Sequence, residues 1–187
     1  MKPIALSIIL IVFAGPLIGQ TGHSPTGQMF MNHIYSCRYD SLIALEQITA
    51  RMESKTKGMG FGGSEGGLIM DGEKSPVRIK SGDTIRFAIK IAMSMVDPSM
   101  MIMLCKFEGQ KSKRMAILSP QSAKKDKGKN SGNASQFNFN VLKESDDFIL
   151  IPASRLPPGE YGFLNMMMMN REGTTGMSYT VFAFGVD

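Results

Sequence analysis

The sequence predicts an all-β protein: an antiparallel β-sandwich of about eight short strands over residues 68–187, preceded by an export signal and one short helix. Three observations carry this. Apolar residues recur with period two from Leu68 onward, the pattern of strands with one buried face. Short apolar runs are separated by Pro, Gly, Asp and Asn turn signals, the spacing of sandwiches and barrels. A tight Pro-Pro-Gly turn, Leu156-Pro157-Pro158-Gly159-Glu160-Tyr161, stands directly before an apolar segment.

The first element is the export signal, residues 1–19. Lys2 precedes an apolar run from Ile4 to Ala14 interrupted only by Ser7. That run is shorter than the roughly 20 residues a spanning helix needs and has the build of a secretory signal peptide. Gly19 offers a small residue for cleavage, with Gly15 and Gly22 as alternatives, and no Cys nearby suits a lipid anchor. No later segment is apolar enough to span, so the expectation is a secreted or periplasmic protein with no membrane span after cleavage. Residues 20–40 are polar and read as a flexible mature N-terminus.

Residues 41–67 read as a short helix and a Gly-rich connector. Leu42, Leu45, Ile48 and Met52 fall on one helical face, Asp40 or Ser41 can cap it, and Gly58 can end it. A strand at its start is the competing reading. Gly58, Gly60 and Gly63 satisfy a dinucleotide-binding spacing, but that motif needs a preceding strand and a following helix, so these residues read as a connector.

The strands follow. Ile85, Phe87, Ile89, Ile91 and Met93 alternate with Arg86, Ala88, Lys90 and Ala92. Asp97-Pro98-Ser99 marks a turn before the apolar run Met100–Phe107; Arg114–Leu118 ends at Ser119-Pro120. Val77–Ile79, Phe137–Val141, Phe148–Ile151, Tyr161–Met168 and Tyr179–Val186 complete the set. Lys124, Lys125, Lys127 and Lys129 lie in a Gly/Asn/Ser-rich stretch that reads as a solvated loop.

The motif at Leu156, Pro158, Gly159 and Tyr161 resembles the tyrosine corner of Greek-key sandwiches, in which the ring packs inward and the hydroxyl bonds upstream backbone, here near Ser154 to Leu156. The chain lacks Trp, and Phe163 stands where an antibody domain has Cys, so the likeness is to the wider Ig-like class. Together with Gly72-Glu73-Lys74-Ser75-Pro76-Val77-Arg78, Asp97-Pro98-Ser99 and the terminal Phe184-Gly185-Val186-Asp187, the motif resembles exported β-sandwich proteins of Bacteroidota. The likeness covers roughly Leu42 to Asp187. It implies a bacterial envelope or secreted location and a sandwich fold, and it brings no catalytic residues with it.

Chemistry is sparse. The charge of +5, from 21 basic and 16 acidic residues, is too small and scattered to point to nucleic acid. His23 and His33 are the two histidines, both in the N-terminal region, which leaves nucleophilic catalysis and zinc without the groups they need. No catalytic residue and no cofactor are expected. Cys37 and Cys105 can pair in an oxidising compartment; alternatively Cys105 is a small buried hydrophobe. The 17 methionines stand out. Met93 with Met95, and Met166 with Met168, are two apart and would share a strand face, a soft-donor arrangement suited to Cu(I), against the plainer reading of Met as core filler. The expected role is a non-enzymatic binding or structural module for an envelope or extracellular partner. A Met-rich Cu(I)-binding periplasmic protein and a carbohydrate-binding module are the alternatives.

Overall fold

The computed structural model describes residues 28–39, 41–56, 64–92, 96–120, 135–172 and 176–187. Among them are thirteen strands and no α-helix. In chain order these are β1 (Ile34–Arg38), β2 (Ser41–Ala44), β3 (Glu46–Thr56), β4 (Ser64–Asp71), β5 (Arg78–Ile79), β6 (Phe87–Ile89), β7 (Ile102–Gln110), β8 (Lys113–Pro120), β9 (Gln136–Phe137), β10 (Phe139–Glu144), β11 (Asp147–Pro152), β12 (Gly159–Glu172) and β13 (Gly176–Val186). One 3-10 turn, Pro98–Met100, precedes β7; Asp97 caps it by accepting from the Ser99 amide at 2.8 Å.

All-β architecture is what the alternation implies, but the strands do not form two open sheets. Six of them close a ring: β12 pairs with β13, β13 with β3, β3 with β4, β4 with β8, β8 with β7, and β7 again with β12, all antiparallel. The other layer is an open sheet in the order β10-β11-β6-β1-β2, packed on the outside of the barrel. Short β9 extends the edge of β7, and β5 lies parallel to β13.

The period-two pattern now serves two cores. In β12, Leu164 points into the barrel, where it meets Ala50, Leu68, Met70, Cys105, Phe107 and Val181. Tyr161 and Phe163, of opposite phase, point out into a seam shared with Phe182 and Phe184 of β13 and with Phe87, Ile89, Phe148 and Leu150 of the open sheet. The seam is aromatic: Phe87 meets Phe163 edge-on at 4.8 Å between centroids and Phe184 at 4.7 Å, and Tyr161 stacks on Phe184 at 5.6 Å. Each such ring contributes about 1.5–3 kcal/mol by burial, plus about 0.5–1.5 for paired geometry. A wall that is apolar on both faces is what lets the layers stack.

Three expectations are corrected. The helix over residues 41–52 is instead β2 and β3. Leu45 alone separates them, its amide donating to the Ile34 carbonyl at 3.0 Å, and the chain passes there from the open sheet to the barrel. Leu45 packs in the seam while Ile48 and Ala50 face the barrel interior; Leu42 belongs to neither core and Met52 is 40% exposed, so the residues that mimic one helical face share no common face. The flexible stretch over residues 20–40 is, from Ile34, strand β1; Ile34 and Tyr35 are buried and β1 lies between β6 and β2. The folded unit therefore begins no later than Ile34 rather than at residue 68. The signal segment, the glycines from Gly58 to Gly63 and Lys124 to Lys129 lie outside the described residues.

Candidate functional site

The predicted corner lies at the seam. Tyr161 is fully buried and its hydroxyl donates to the Pro157 carbonyl at 2.6 Å, one residue beyond the expected Ser154–Leu156 stretch. Leu156 is buried in the same core. The Pro158 carbonyl accepts from Lys106 Nζ at 3.5 Å. Gly159 has φ +153°, and a Cβ there would meet Lys106 Cε at 2.8 Å, so only glycine fits the turn. Burial pushes the Tyr161 hydroxyl up to about 12. This is an anchoring arrangement with no reactive group facing solvent.

One end of the barrel is closed by charge. Arg114, 0% exposed, donates from Nη1 and Nη2 to the Glu46 carboxylate at 2.9 and 3.1 Å. It also donates to the backbone carbonyls of Gly72 at 3.0 Å and Asp71 at 3.2 Å. Glu160 stands 3.8 Å from the same guanidinium, accepts the Ser75 amide at 2.8 Å and pairs with Arg78, which also holds Asp187. Asp187 is held below the usual carboxylate range by its hydrogen bond to Arg78. A Cβ at Gly185 would collide with the Arg78 guanidinium, so a bare backbone lets that side chain lie across β13. Sequence reasoning missed this relay. The signal was there: Glu46, Arg114 and Glu160 each occupy the inward phase of a strand, in step with Ile48, Ala116 and Gly162.

The methionines divide. Met93 and Met95 lie outside the described residues. Met166 and Met168 lie where β12 departs from regular strand. Leu164 opposes Val181 and Met169 opposes Tyr179, so the four residues from Asn165 to Met168 stand against Thr180 alone, a wide bulge. Met166 is 45% exposed, whereas Met168 lines a hollow of about 270 Å³ with Met101, Ile91, Ala92, Ile102 and Asn165. The structure thus brings Met168 to Met101.

The cysteines are free thiols, which corrects the disulfide expectation. Cys105 faces the barrel interior on β7 while Cys37 belongs to the open sheet, so the barrel wall separates them. Burial pushes the Cys105 thiol up to about 12 and raises that of Cys37, the latter opposed by Arg86.

A larger hollow, about 540 Å³, opens beside Cys37. Arg38, Tyr39, Lys80, Asp83 and Arg86 line it as well. It forms where β1 turns into β2 and where the chain from Lys80 to Arg86 crosses toward β6. Arg38 pairs with Ser41, so Tyr39 is the first residue of a two-residue hairpin turn, with φ +45° and 99% exposure. Arg38 Nη2 donates to the Arg78 carbonyl, and Arg86 Nη2 to Glu144 at 3.1 Å. Both Nε atoms are buried with no acceptor. His33 is elsewhere engaged: Nδ1 lies 3.0 Å from the Met31 carbonyl and its ring packs on Phe30 and Phe182. Among the described residues no group of three His, Cys, Asp or Glu is placed to hold a metal ion. No helix among the described residues is long and apolar enough to cross a membrane. No protein-family model, curated protein or solved structure matches the chain.

Proposed function

We propose that the chain is an exported, non-enzymatic binding module at a bacterial envelope, and that it takes a small ring-bearing ligand, of saccharide type, in the hollow beside Tyr39. One observation carries the reading. A two-residue hairpin turn favours Asn or Gly at left-handed φ, yet this one keeps a fully exposed tyrosine there, beside the largest hollow described. A non-glycine residue held at positive φ costs stability, and such strain clusters at ligand sites. An aromatic presented to solvent at the rim of a polar cleft is the surface on which a sugar ring stacks. A glycan array probed with the native protein and with Tyr39→Ala tests it. Binding that the substitution abolishes supports the reading; no glycan bound, or binding indifferent to Tyr39, overturns it. Export is checked by mass spectrometry of the mature N-terminus, expected between Gly15 and Gly22, where an intact Met1 on membrane-embedded protein refutes it.

A second reading rests on Met101, at the end of the 3-10 turn, and Met168 of β12, thioethers lining one hollow, which suits a soft ion such as Cu(I). Titration with a colorimetric competitor decides it. Replacing both with Leu abolishes Cu(I) binding if they are ligands, and equal affinity in the native and doubly substituted proteins ends the idea.

A further inference from the structure

We propose that the hollow beside Tyr39 selects ligands that carry an oxyanion, and that its preferred ligand is an acidic saccharide; this rests on the reading of Tyr39 as a ring platform. Arg38, Lys80 and Arg86 line the hollow against a single acid, Asp83, among the described residues. Lys80 makes no ion pair among those residues. The two arginines are each tethered at Nη2, Arg38 to the Arg78 carbonyl and Arg86 to Glu144, while the Nε–H of each has no acceptor. A buried donor without a partner is rare in folded proteins and costs about 1–3 kcal/mol. The Nε–H and one terminal N–H of a guanidinium form the planar fork that receives two oxygens of a carboxylate, sulfate or phosphate. Both arginine side chains are partly exposed although their Nε atoms are buried, and the proposal requires the side chains to turn the Nε edge toward the hollow when a ligand binds. An oxyanion therefore relieves two orphan donors, and Tyr39 at the rim takes the ring to which it is attached. A neutral sugar offers these donors only single, uncharged hydroxyl oxygens, without the charge and the paired oxygens that the fork fits.

The experiment is a nitrogen-15 NMR titration of the whole chain, reading the Arg38 and Arg86 Nε–H signals and the Tyr39 amide. The probes are glucuronate, glucose and inorganic phosphate. Glucuronate is expected to shift all three signals and to bind at least about tenfold more tightly than glucose, the order of one charge-assisted hydrogen bond. Arg38→Gln with Arg86→Gln should cut that preference to within about twofold. If the double variant loses its dispersed amide spectrum, Arg86→Gln alone carries the test, its native side chain being 42% exposed. Equal affinity for glucose and glucuronate, with the Tyr39 amide shifting, overturns the charge selection and leaves the ring platform standing. Phosphate binding as tightly as glucuronate, unaffected by Tyr39→Ala, overturns the saccharide and leaves an anion site. No shift at any of the three signals overturns both.

Discussion

Removing Arg114 is the sharpest test of how the barrel is held shut. The side chain is wholly buried and makes four hydrogen bonds, two to Glu46 and two to the carbonyls of Gly72 and Asp71. Arg114→Ala would strand Glu46, whose side chain is 21% exposed, and Glu160, 9% exposed, as carboxylates with part of their compensation gone. Breaking one side of a buried ion pair costs about 3–5 kcal/mol, mostly from the charge left behind. The upper half of that range applies to Glu160 and the lower half to Glu46, which water reaches; Arg78 still neutralises part of Glu160. We expect a loss of about 3–4 kcal/mol, read as a fall in the chemical-denaturation midpoint at unchanged slope. Arg114→Lys keeps the charge but not the fork and should cost about 1–3 kcal/mol. Combining Arg114→Met with Glu46→Gln and Glu160→Gln should recover part of the loss, because no bare charge then remains. A loss below about 1 kcal/mol for Arg114→Ala would refute the reasoning, since it would mean that water already solvates the relay.

Other predictions follow from the same geometry. Tyr161→Phe removes the bond to Pro157 and keeps the ring, costing about 1–3 kcal/mol, and Tyr161→Ala should cost about 3–5; an unchanged denaturant midpoint for the Phe variant would discount the bond. Gly162→Ala places a methyl on Val181 Cγ1 and 3.2 Å from Phe107 inside the barrel, an overpacking of about 1–3 kcal/mol that thermal denaturation should register as a lower Tm. Burial raises Cys105 from 9.0 and Tyr161 from 10.0, both to about 12. These groups keep their protons in the folded state after the unfolded chain has lost them. Their stabilisation is thus complete below pH 9 and is lost as the pH climbs toward 12. Denaturant midpoints across that interval should fall, and Cys105→Ala should flatten the earliest part; a flat native profile would contradict it.

What could be read from the sequence was local. Ile85, Phe87, Ile89 and Ile91 announce a strand through their own alternation, and Leu156-Pro158-Gly159-Tyr161 encodes its turn in consecutive residues. Leu42, Leu45, Ile48 and Met52 misled because a spacing of three or four residues also arises when two strands that bury different faces are joined by one residue. Closure of the barrel was illegible, since alternation states that a face is buried and not which strand lies beside it. The bulge at Met166 to Met168 was illegible because a bulge has no signature in a run of identical residues. Of the residues lining the two hollows, only Met168 and Cys37 were singled out from the sequence as site candidates. The Tyr39 cleft joins residues from two distant stretches, and each of its charges looks ordinary alone.

The place of β13 in the ring has a consequence for the order of events as the chain matures. This last strand lies between β12 and β3, and it pairs Thr180 with Thr49 across most of the folded sequence. Its outward residues Phe182 and Phe184 also complete the aromatic seam. Until it arrives, β3 and β12 both present open edges and the seam lacks its centre. Closure of the ring and of the seam therefore waits on contacts of long range, the slow regime for β proteins. The hazard of edge-to-edge aggregation falls in the interval before β13 docks.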